Sequence, residues 1–215
     1  MSGRFITFEG GDGAGKSTQL KRLAQRLGES GRSVVTTREP GGTPTAEAIR
    51  DVLLSGEAGS LGVEGETLLF AAARMDHVDT VIRPALARGD WVLCDRFIDS
   101  TRVYQGVVGG ADARLLRALE NVVVGATRPD LTFILDVPVS IGLERIRARL
   151  GGGEASDRFE SESEELQEKR RQGFLDIARG EPERCVVIDA TQDEDTVAEE
   201  IWKTVVERLI DREAA

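Results

Sequence analysis

"FITFEGGDGAGKSTQL", residues 5–20, decides the fold of this chain. A short apolar run ends at one acid, Glu9, and four glycines occupy the next six positions, before Lys16 and Ser17. Residues 10–17 fit the spacing G-x-x-x-x-G-K-[ST], and the leucine spacing that follows is helical. Glycines without side chains let backbone N–H groups turn toward phosphate oxygens. The stretch therefore predicts a phosphate-binding loop, or P-loop, between the first strand and the first helix.

The loop predicts how a nucleoside triphosphate, most simply ATP, is held. Lys16 would reach the β- and γ-phosphates, and Ser17 would give an oxygen to Mg²⁺. The start of the helix adds partial positive charge. The alternative is a glycine-rich turn that binds nothing, but strand, spacing, lysine and hydroxyl are all present. The expected ATP-binding residues are Gly10, Gly11, Asp12, Gly13, Ala14, Gly15, Lys16, Ser17 and Thr18.

Strands and helices alternate along the rest of the chain. The predicted strands are residues 4–8, 33–38, 91–95, 131–137 and 185–189, each short and continuously apolar. Helices are expected from near Gly15, from Thr43 as N-cap with Pro44 behind it, and over 64–88 and 112–125. Two more flank the fifth strand, and Pro84 should kink or end the 64–88 helix. This order predicts an α/β protein with a five-stranded parallel sheet and helices on both faces.

Length, charge and cysteine content limit the number of domains, the kinds of partner and the cellular compartment that we expect. With 215 residues and 40% hydrophobic residues we expect a single domain, residues 1–215. The net charge of −10 argues against nucleic acid and anionic membranes as partners. No membrane span or secretory signal is expected, and Cys94 and Cys185 are predicted to be buried free thiols, which favours the cytoplasm.

A P-loop names the phosphate donor but not the reaction. GTPases read guanine through N-K-x-D, and this chain has one asparagine, Asn121, outside any such element. An irregular, arginine-bearing segment late in a small P-loop protein favours a small-molecule kinase. The segment in question is "RLGGGEASDRFESESEE", residues 149–165. Composition alone favours a solvated surface loop for this segment.

Several segments together resemble the thymidylate kinase family. They are "FEGGDGAGKSTQ" at 8–19, "TREPGGT" at 37–43, "LLFAAAR" at 68–74, "DRFIDSTRVYQG" at 95–106, "RPDLTFILDV" at 128–137 and "RARLGGGEASDRFE" at 147–160. The resemblance covers nearly the whole chain, and the last segment resembles the lid of the bacterial form. It implies the P-loop NTPase fold of a nucleoside monophosphate kinase, with a lid at about residues 149–160.

The resemblance also implies residue roles. Phe70 would stack on thymine, Arg74 would donate to its O4, and Glu9 would bind the sugar 3′-hydroxyl near the metal. Arg38 and Arg96 would hold the acceptor phosphate. The expected nucleoside wall is formed by Ser100, Thr101, Tyr104 and Gln105, with Tyr104 excluding a 2′-hydroxyl.

The catalytic set implied in this way includes Lys16, Arg96, Asp95 and Arg158. Asp95 ends an apolar strand and would hold a magnesium-bound water, so that Ser17 and Asp95 form the metal site. Asp12, Gly13 and Ala14 offer no cation, and Arg158 of the lid would supply the charge that one form of the family places in the P-loop. Asp136 is interpreted as structural. His77 is expected to have a packing or subunit-interface role.

The sequence thus predicts an enzyme that phosphorylates dTMP to dTDP with ATP and Mg²⁺. It is expected to be a cytoplasmic homodimer, because the resembling family is homodimeric and the 64–88 helix is a reasonable interface element. The closest alternative is a kinase of another nucleoside monophosphate. An alternative of another class is a regulatory protein that uses ATP as a switch.

Overall fold

The computed structural model describes residues 3–150 and 163–211, without the side chains of residues 149 and 150. The expected lid at about 149–160 falls almost wholly beyond this range. Arg158 lies outside the described residues, and the Arg149 side chain is not described either.

Five parallel strands form one sheet, in the spatial order β2-β3-β1-β4-β5. The strands are β1 Phe5–Glu9, β2 Val34–Arg38, β3 Trp91–Asp95, β4 Leu131–Asp136 and β5 Cys185–Asp189. All four neighbouring pairs are parallel, so every carboxyl end points to one edge. The α/β fold with a five-stranded parallel sheet is confirmed, and the ligand site is expected at this edge.

Helices connect consecutive strands. They are α1 Lys16–Glu29, α2 Pro44–Ser55, α3 Gly62–His77, α4 Arg83–Ala87, α5 Ile98–Thr101, α6 Ala113–Val123, α7 Val139–Leu150, α8 Glu164–Gly180 and α9 Glu194–Val205. Wider π-helical turns at Val78–Ile82, Arg102–Val108 and Val206–Ile210 extend α3, α5 and α9. Thr43 caps α2 as predicted, because its hydroxyl accepts a hydrogen bond from the Ala46 N–H.

The core lies on both faces of the sheet because side chains alternate along each strand. On one face, Ile6 and Phe8 pack with the apolar stripes of α1 and α9. On the other face, Phe5 and Val92 pack against α3, its wide turn and α5. Both cysteines are buried and free, as predicted. No helix within the described ranges is both long and apolar enough to cross a membrane.

The helical region predicted over 64–88 differs in detail from the structure. Its expected apolar stripe is divided, since Val78 and Ile82 are fully buried whereas Leu68 and Met75 are about half exposed. Pro84 does not end the run. The helix widens just before the proline, which has no N–H to donate, and continues to Ala87.

Residues 98–108 form helical structure that the sequence did not indicate. The segment has β-branched residues and no cap, and α5 begins without a side-chain hydrogen bond at Phe97. Buried contacts hold it instead, through Ile98, Asp99, Val103 and Gln105. It matters because it carries most of one wall of the site.

Candidate functional site

The P-loop leaves β1 at the centre of the sheet and is pressed tightly against its neighbours. Gly10 has φ 126°, and a Cβ added there would lie 2.4 Å from the Leu135 carbonyl oxygen. Gly13 has φ 75°, and its added Cβ would lie 2.3 Å from the Gly142 carbonyl oxygen. Glycine is required at both positions for conformation and for space. The loop is therefore fixed between β4 and α7.

Lys16 is folded into its own loop. Its Nζ donates to the Gly11 carbonyl oxygen at 2.8 Å and to that of Gly10 at 3.2 Å. Burial and the charge of Arg96 lower the pKa of Lys16, while Asp12 and Asp95 oppose that shift. The ammonium is thus poised beside the backbone that would cradle phosphates.

Glu9 is fully buried at the end of β1, beneath the site. One carboxylate oxygen accepts from the Phe97 N–H at 2.8 Å, and the other from the Ser100 hydroxyl at 2.7 Å. Burial, reinforced by the charge of Asp99, raises the pKa of Glu9 to about 7. Its oxygens are occupied by α5 and the residue before it, so Glu9 fixes this helix to the sheet.

Asp12 and Arg96 join the P-loop to the start of α5. Arg96 Nη2 donates to Asp12 Oδ1 at 2.5 Å, and Nη1 donates to the Gly10 carbonyl oxygen and to Ser100 at 3.2 Å each. Arg96 has φ 69°, the one positive φ outside glycine among the described residues. Burial alone would raise the pKa of Asp12, but the charges of Arg96 and Lys16 hold it below its usual value.

A pocket opens beside this pair, between α2, α3 and α5. The predicted residues that line it include Phe70, Arg74, Arg96, Ser100, Thr101, Tyr104 and Gln105. Asp12 also lines it, as do five residues that the sequence did not single out: Glu39, Pro40, Arg50, Leu54 and Phe97. Glu39 and Pro40 stand inside the "TREPGGT" segment, so that segment was the available signal. Arg50 and Leu54 carried no signal of their own.

Two predicted substrate residues are not among those that line this pocket. Glu9 lies beneath it, and Asp12 of the P-loop takes the place facing it. Arg38 is 56% exposed and pairs with Glu47 at 3.0 Å. Because its register partner Asp95 is at the same sheet edge, Arg38 stands near the site without facing the pocket.

The predicted magnesium ligands come from the first turn of α1 and the end of β3. Ser17 is exposed at the first turn of α1, and Asp95 ends β3 opposite Phe8 of β1. A hydroxyl and a carboxylate are the hard oxygen donors that suit Mg²⁺, which otherwise retains water and phosphate ligands. No cluster of three acidic, cysteine or histidine side chains able to hold a metal occurs in the described part of the chain. The residues present fit a nucleotide-bound magnesium ion rather than an all-protein cage.

Helices α7 and α8 add arginines that the sequence analysis did not place at the site. Arg170 lies over the Tyr104 ring, 4.4 Å from its centroid. Arg145 donates to the carbonyl oxygens of Gly13, at 3.4 Å, and Ala190, at 3.0 Å. Asp136, interpreted as structural, accepts two hydrogen bonds from Arg171 at 2.7 and 2.9 Å. The three arginines thus bring positive charge close to the loop despite the acidic total, although that of Arg171 is paired with Asp136.

The arrangement provides two anion-binding positions at one sheet edge. The P-loop offers backbone N–H groups, Lys16 and a helix start, and the adjoining pocket offers Arg96, Arg74 and an aromatic side chain, Phe70. Asp12 and Arg96 contact both. Such a pair of sites is suited to holding a phosphate donor and an aromatic, phosphate-bearing acceptor against each other.

The chain is similar to known proteins of one family over nearly its whole length. A family model described as Thymidylate kinase matches residues 8–201. The thymidylate kinase of Rhodopseudomonas palustris (strain BisB18) is 59% identical over 210 residues, which is 97% of this chain and 90% of that protein. That of Nitrobacter winogradskyi is 55% identical, covering 99% and 92%. A crystal structure of thymidylate kinase from Ehrlichia chaffeensis superposes with a TM-score of 0.76 at 37% identity, covering 95% of this chain and all of that one.

Proposed function

The chain belongs to the thymidylate kinase family and phosphorylates dTMP to dTDP with ATP, and from this premise we propose which residues carry the reaction. The observation that carries the assignment is the contact between Asp12 and Arg96. It joins a P-loop to a pocket lined by aromatic side chains and three arginines. One nucleotide therefore binds on each side of this pair.

ATP binds at the P-loop. The backbone of Gly10 to Gly15 cradles its phosphates, Lys16 neutralises the β- and γ-phosphates, and Thr18 lies in the first turn behind them. Ser17 and Asp95 hold Mg²⁺, directly or through water, and the bound ion would neutralise charge on the phosphates. Support comes from the burial of Lys16 among carbonyl groups beside these residues.

dTMP binds in the pocket beside the loop. Phe70 stacks on the base, Arg74 donates to its carbonyl oxygen, and Ser100, Thr101 and Gln105 complete the wall. Tyr104 packs under the deoxyribose.

Arg96 and Arg38 hold the acceptor phosphate, with Arg38 turning from its exposed pair with Glu47. Since Asp12 faces the pocket and Glu9 does not, Asp12 is placed to accept from the sugar 3′-hydroxyl, with Glu9 supporting α5 from below.

The reaction needs position and charge compensation, and no covalent enzyme intermediate. The acceptor phosphate oxygen attacks the γ-phosphorus of ATP, and the bond from that phosphorus to the β-γ bridging oxygen breaks. Lys16 and Arg96 lie on the two sides of the transfer path. Arg158 of the lid is proposed to supply the remaining positive charge.

An ADP-release assay with dTMP, dUMP, dCMP, dGMP and AMP tests this assignment. Thymine and uracil differ by one methyl group, so dUMP should be a real but poorer substrate, down by roughly 10–200-fold in kcat/KM. Cytosine presents an amino donor to Arg74, and dCMP should be poorer still. Equal rates with dCMP or AMP would favour another nucleoside monophosphate kinase. Slow hydrolysis indifferent to dTMP would favour a nucleotide switch.

We propose further that the protein is a homodimer that acts in the cytoplasm. The half-exposed apolar residues of α3, including Leu68 and Met75, support a subunit contact along that helix. The two free, buried thiols support a reducing compartment, since neither is paired. Nucleic acid and membranes are not proposed as partners.

A further inference from the structure

Glu39 is a buried carboxylate held between two side chains of α3. One of its oxygens accepts from Arg74 Nε at 2.6 Å, and the other contacts His77 Nδ1 at 3.0 Å. All three residues are less than a tenth exposed. The Glu39 N–H also donates to the Asp95 carbonyl oxygen at 2.9 Å, which fixes the backbone that carries the acid. The carboxylate therefore has little freedom to turn.

His77 is bonded through its second nitrogen as well. Its Nε2 lies 2.6 Å from the Thr37 hydroxyl on β2. The Gly42 backbone closes over this contact, because a Cβ there would lie 2.6 Å from Thr37 Oγ1 and 2.7 Å from His77 Nε2. The ring is thus immobilised by its packing. His77 therefore holds the Glu39 carboxylate in place. This contact accounts for the complete burial of a histidine that lies away from the phosphate site.

The same network fixes the guanidinium of Arg74 and leaves one part of it uncommitted. Nη2 donates to the Phe97 carbonyl oxygen at 3.1 Å and to Thr101 Oγ1 at 3.0 Å. With Nε on Glu39, three of the five N–H hydrogens are used. Nη1 makes no hydrogen bond to any residue in 3–150 or 163–211, and Arg74 lines the acceptor pocket. The two hydrogens of Nη1 are therefore left for a ligand.

We propose that Glu39, held in place by His77, is a positioning residue that orients Nη1 of Arg74 toward the acceptor base. Glu39 thereby sets the preference for a pyrimidine whose ring presents a carbonyl oxygen, rather than an amino group, to Arg74. This inference rests on the proposed placing of dTMP in the pocket. A guanidinium released from Glu39 can rotate about its last bonds, so its donors no longer point in one direction and an amino group is rejected less strongly.

Glu39→Gln tests the role, because the amide keeps the shape of the side chain and loses its charge. We expect the KM for dTMP to rise about tenfold, as charge-assisted positioning is lost, with kcat changed by no more than about threefold. The ratio of kcat/KM for dTMP to that for dCMP should fall by about tenfold. A Glu39 that only stabilises the fold would lower the thermal midpoint and leave this ratio unchanged.

Glu120→Gln is the matched control. Glu120 is a largely buried carboxylate of α6 that binds Arg102 at 2.7 Å and is not among the residues that line the acceptor pocket. It too loses a charge facing an arginine, but the dTMP:dCMP ratio should stay at the wild-type value. A fall of equal size in this variant would overturn the inference.

A double-mutant cycle asks whether Glu39 acts through Arg74. In an Arg74→Lys background, Glu39→Gln should change the dTMP:dCMP ratio by less than about twofold, since the group it positions is gone. Full additivity of the two changes would overturn the inference. Should Glu39→Gln fail to fold, His77→Phe removes the contact that holds Glu39, and an unchanged ratio there would equally count against it. Absence of dTMP phosphorylation in the wild type would instead overturn the proposed function.

Discussion

In the proposed mechanism, phosphate chemistry at the loop depends most on Lys16. It is buried in the loop between the carbonyl groups of Gly10 and Gly11, and it makes no part of either apolar cluster. Lys16→Ala should remove charge compensation in the transition state and lower kcat by at least about 10²-fold. The measurement is steady-state turnover of ATP with dTMP.

Lys21→Ala serves as the comparison, because Lys21 is exposed on the same helix. Its turnover should match the wild type. Both variants should keep the wild-type thermal midpoint without nucleotide. Turnover of the Lys16 variant within a few-fold of wild type would rule out the assigned role.

Glu9 gives the protein a pH dependence of stability with a defined sign. Its pKa is raised in the folded state to about 7, from 4.5, mainly by burial. Between these values the folded protein binds more protons than the unfolded chain, so stability falls as pH rises from about 4.5 to 7. Each unit of pKa shift is about 1.4 kcal/mol, which makes the contribution of Glu9 about 3 kcal/mol.

Glu9→Gln removes this titration while keeping an acceptor for the Phe97 N–H. The nucleotide-free variant should lose less stability than the wild type when the pH is raised from 5 to 8. Chemical denaturation at several pH values measures the free energy of unfolding of both proteins. If the two proteins lose stability in parallel over this range, the carboxyl group does not titrate there.

At the scale of helices and strands, local sequence predicted the strands and the capped helices well. The β1 strand, α1 and the Thr43 cap follow from short-range rules, and the structure has them within a residue or two. The segment 98–108 could not be predicted, because it is held by buried long-range contacts such as those of Glu9 with Ser100. Glu39 was missed as a pocket residue for the same reason, since its partners on α3 lie 35 and 38 positions away.

The lid expected at about residues 149–160 has a predicted catalytic role that mutation can test. If its arginine completes the charge around the transferring phosphoryl group, Arg158→Ala should lower kcat by at least about 10²-fold with little change in the KM for dTMP. Arg147, exposed on α7, provides the control, and Arg147→Ala should stay near wild type. Survival of kcat in the Arg149/Arg158 double variant would reduce the segment to a surface loop.

On the scale of the whole molecule, the exposed face of α3 is the feature that composition could not reveal. Leu68 is 51% and Met75 47% exposed, and Ala72 lies between them on the same face. Leu68→Glu with Met75→Glu places two charges in the proposed subunit contact and should give the monomer mass in sedimentation velocity. Val187→Glu, on an exposed position of β5, should leave the dimer intact. A wild-type protein that is monomeric at micromolar concentration would contradict the proposal.

The net charge of the whole molecule says less about where anions bind than the positions of individual charged side chains do. A net charge of −10 gives no hint of where anions bind, because most acids lie on the surface. Positive groups gather at the sheet edge only through folding: Lys16 from α1, Arg96 after β3 and Arg170 from α8 come from distant parts of the chain. The P-loop could be predicted because its residues are consecutive. The arginines around the P-loop could not be predicted in this way, apart from those inside the segments that resemble the thymidylate kinase family.

In the proposed arrangement, the ion pair between Asp12 and Arg96 couples the binding of the two nucleotides. Asp12 belongs to the loop proposed to receive the donor and also lines the pocket proposed to receive the acceptor, and Arg96 donates hydrogen bonds to the loop and to Ser100 of the pocket. Any shift of this pair on binding one nucleotide alters the free energy of binding the other. By linkage, the factor by which ATP changes the affinity for dTMP equals the factor by which dTMP changes the affinity for ATP. The enzyme can therefore favour the ternary complex over either binary one without a separate allosteric site.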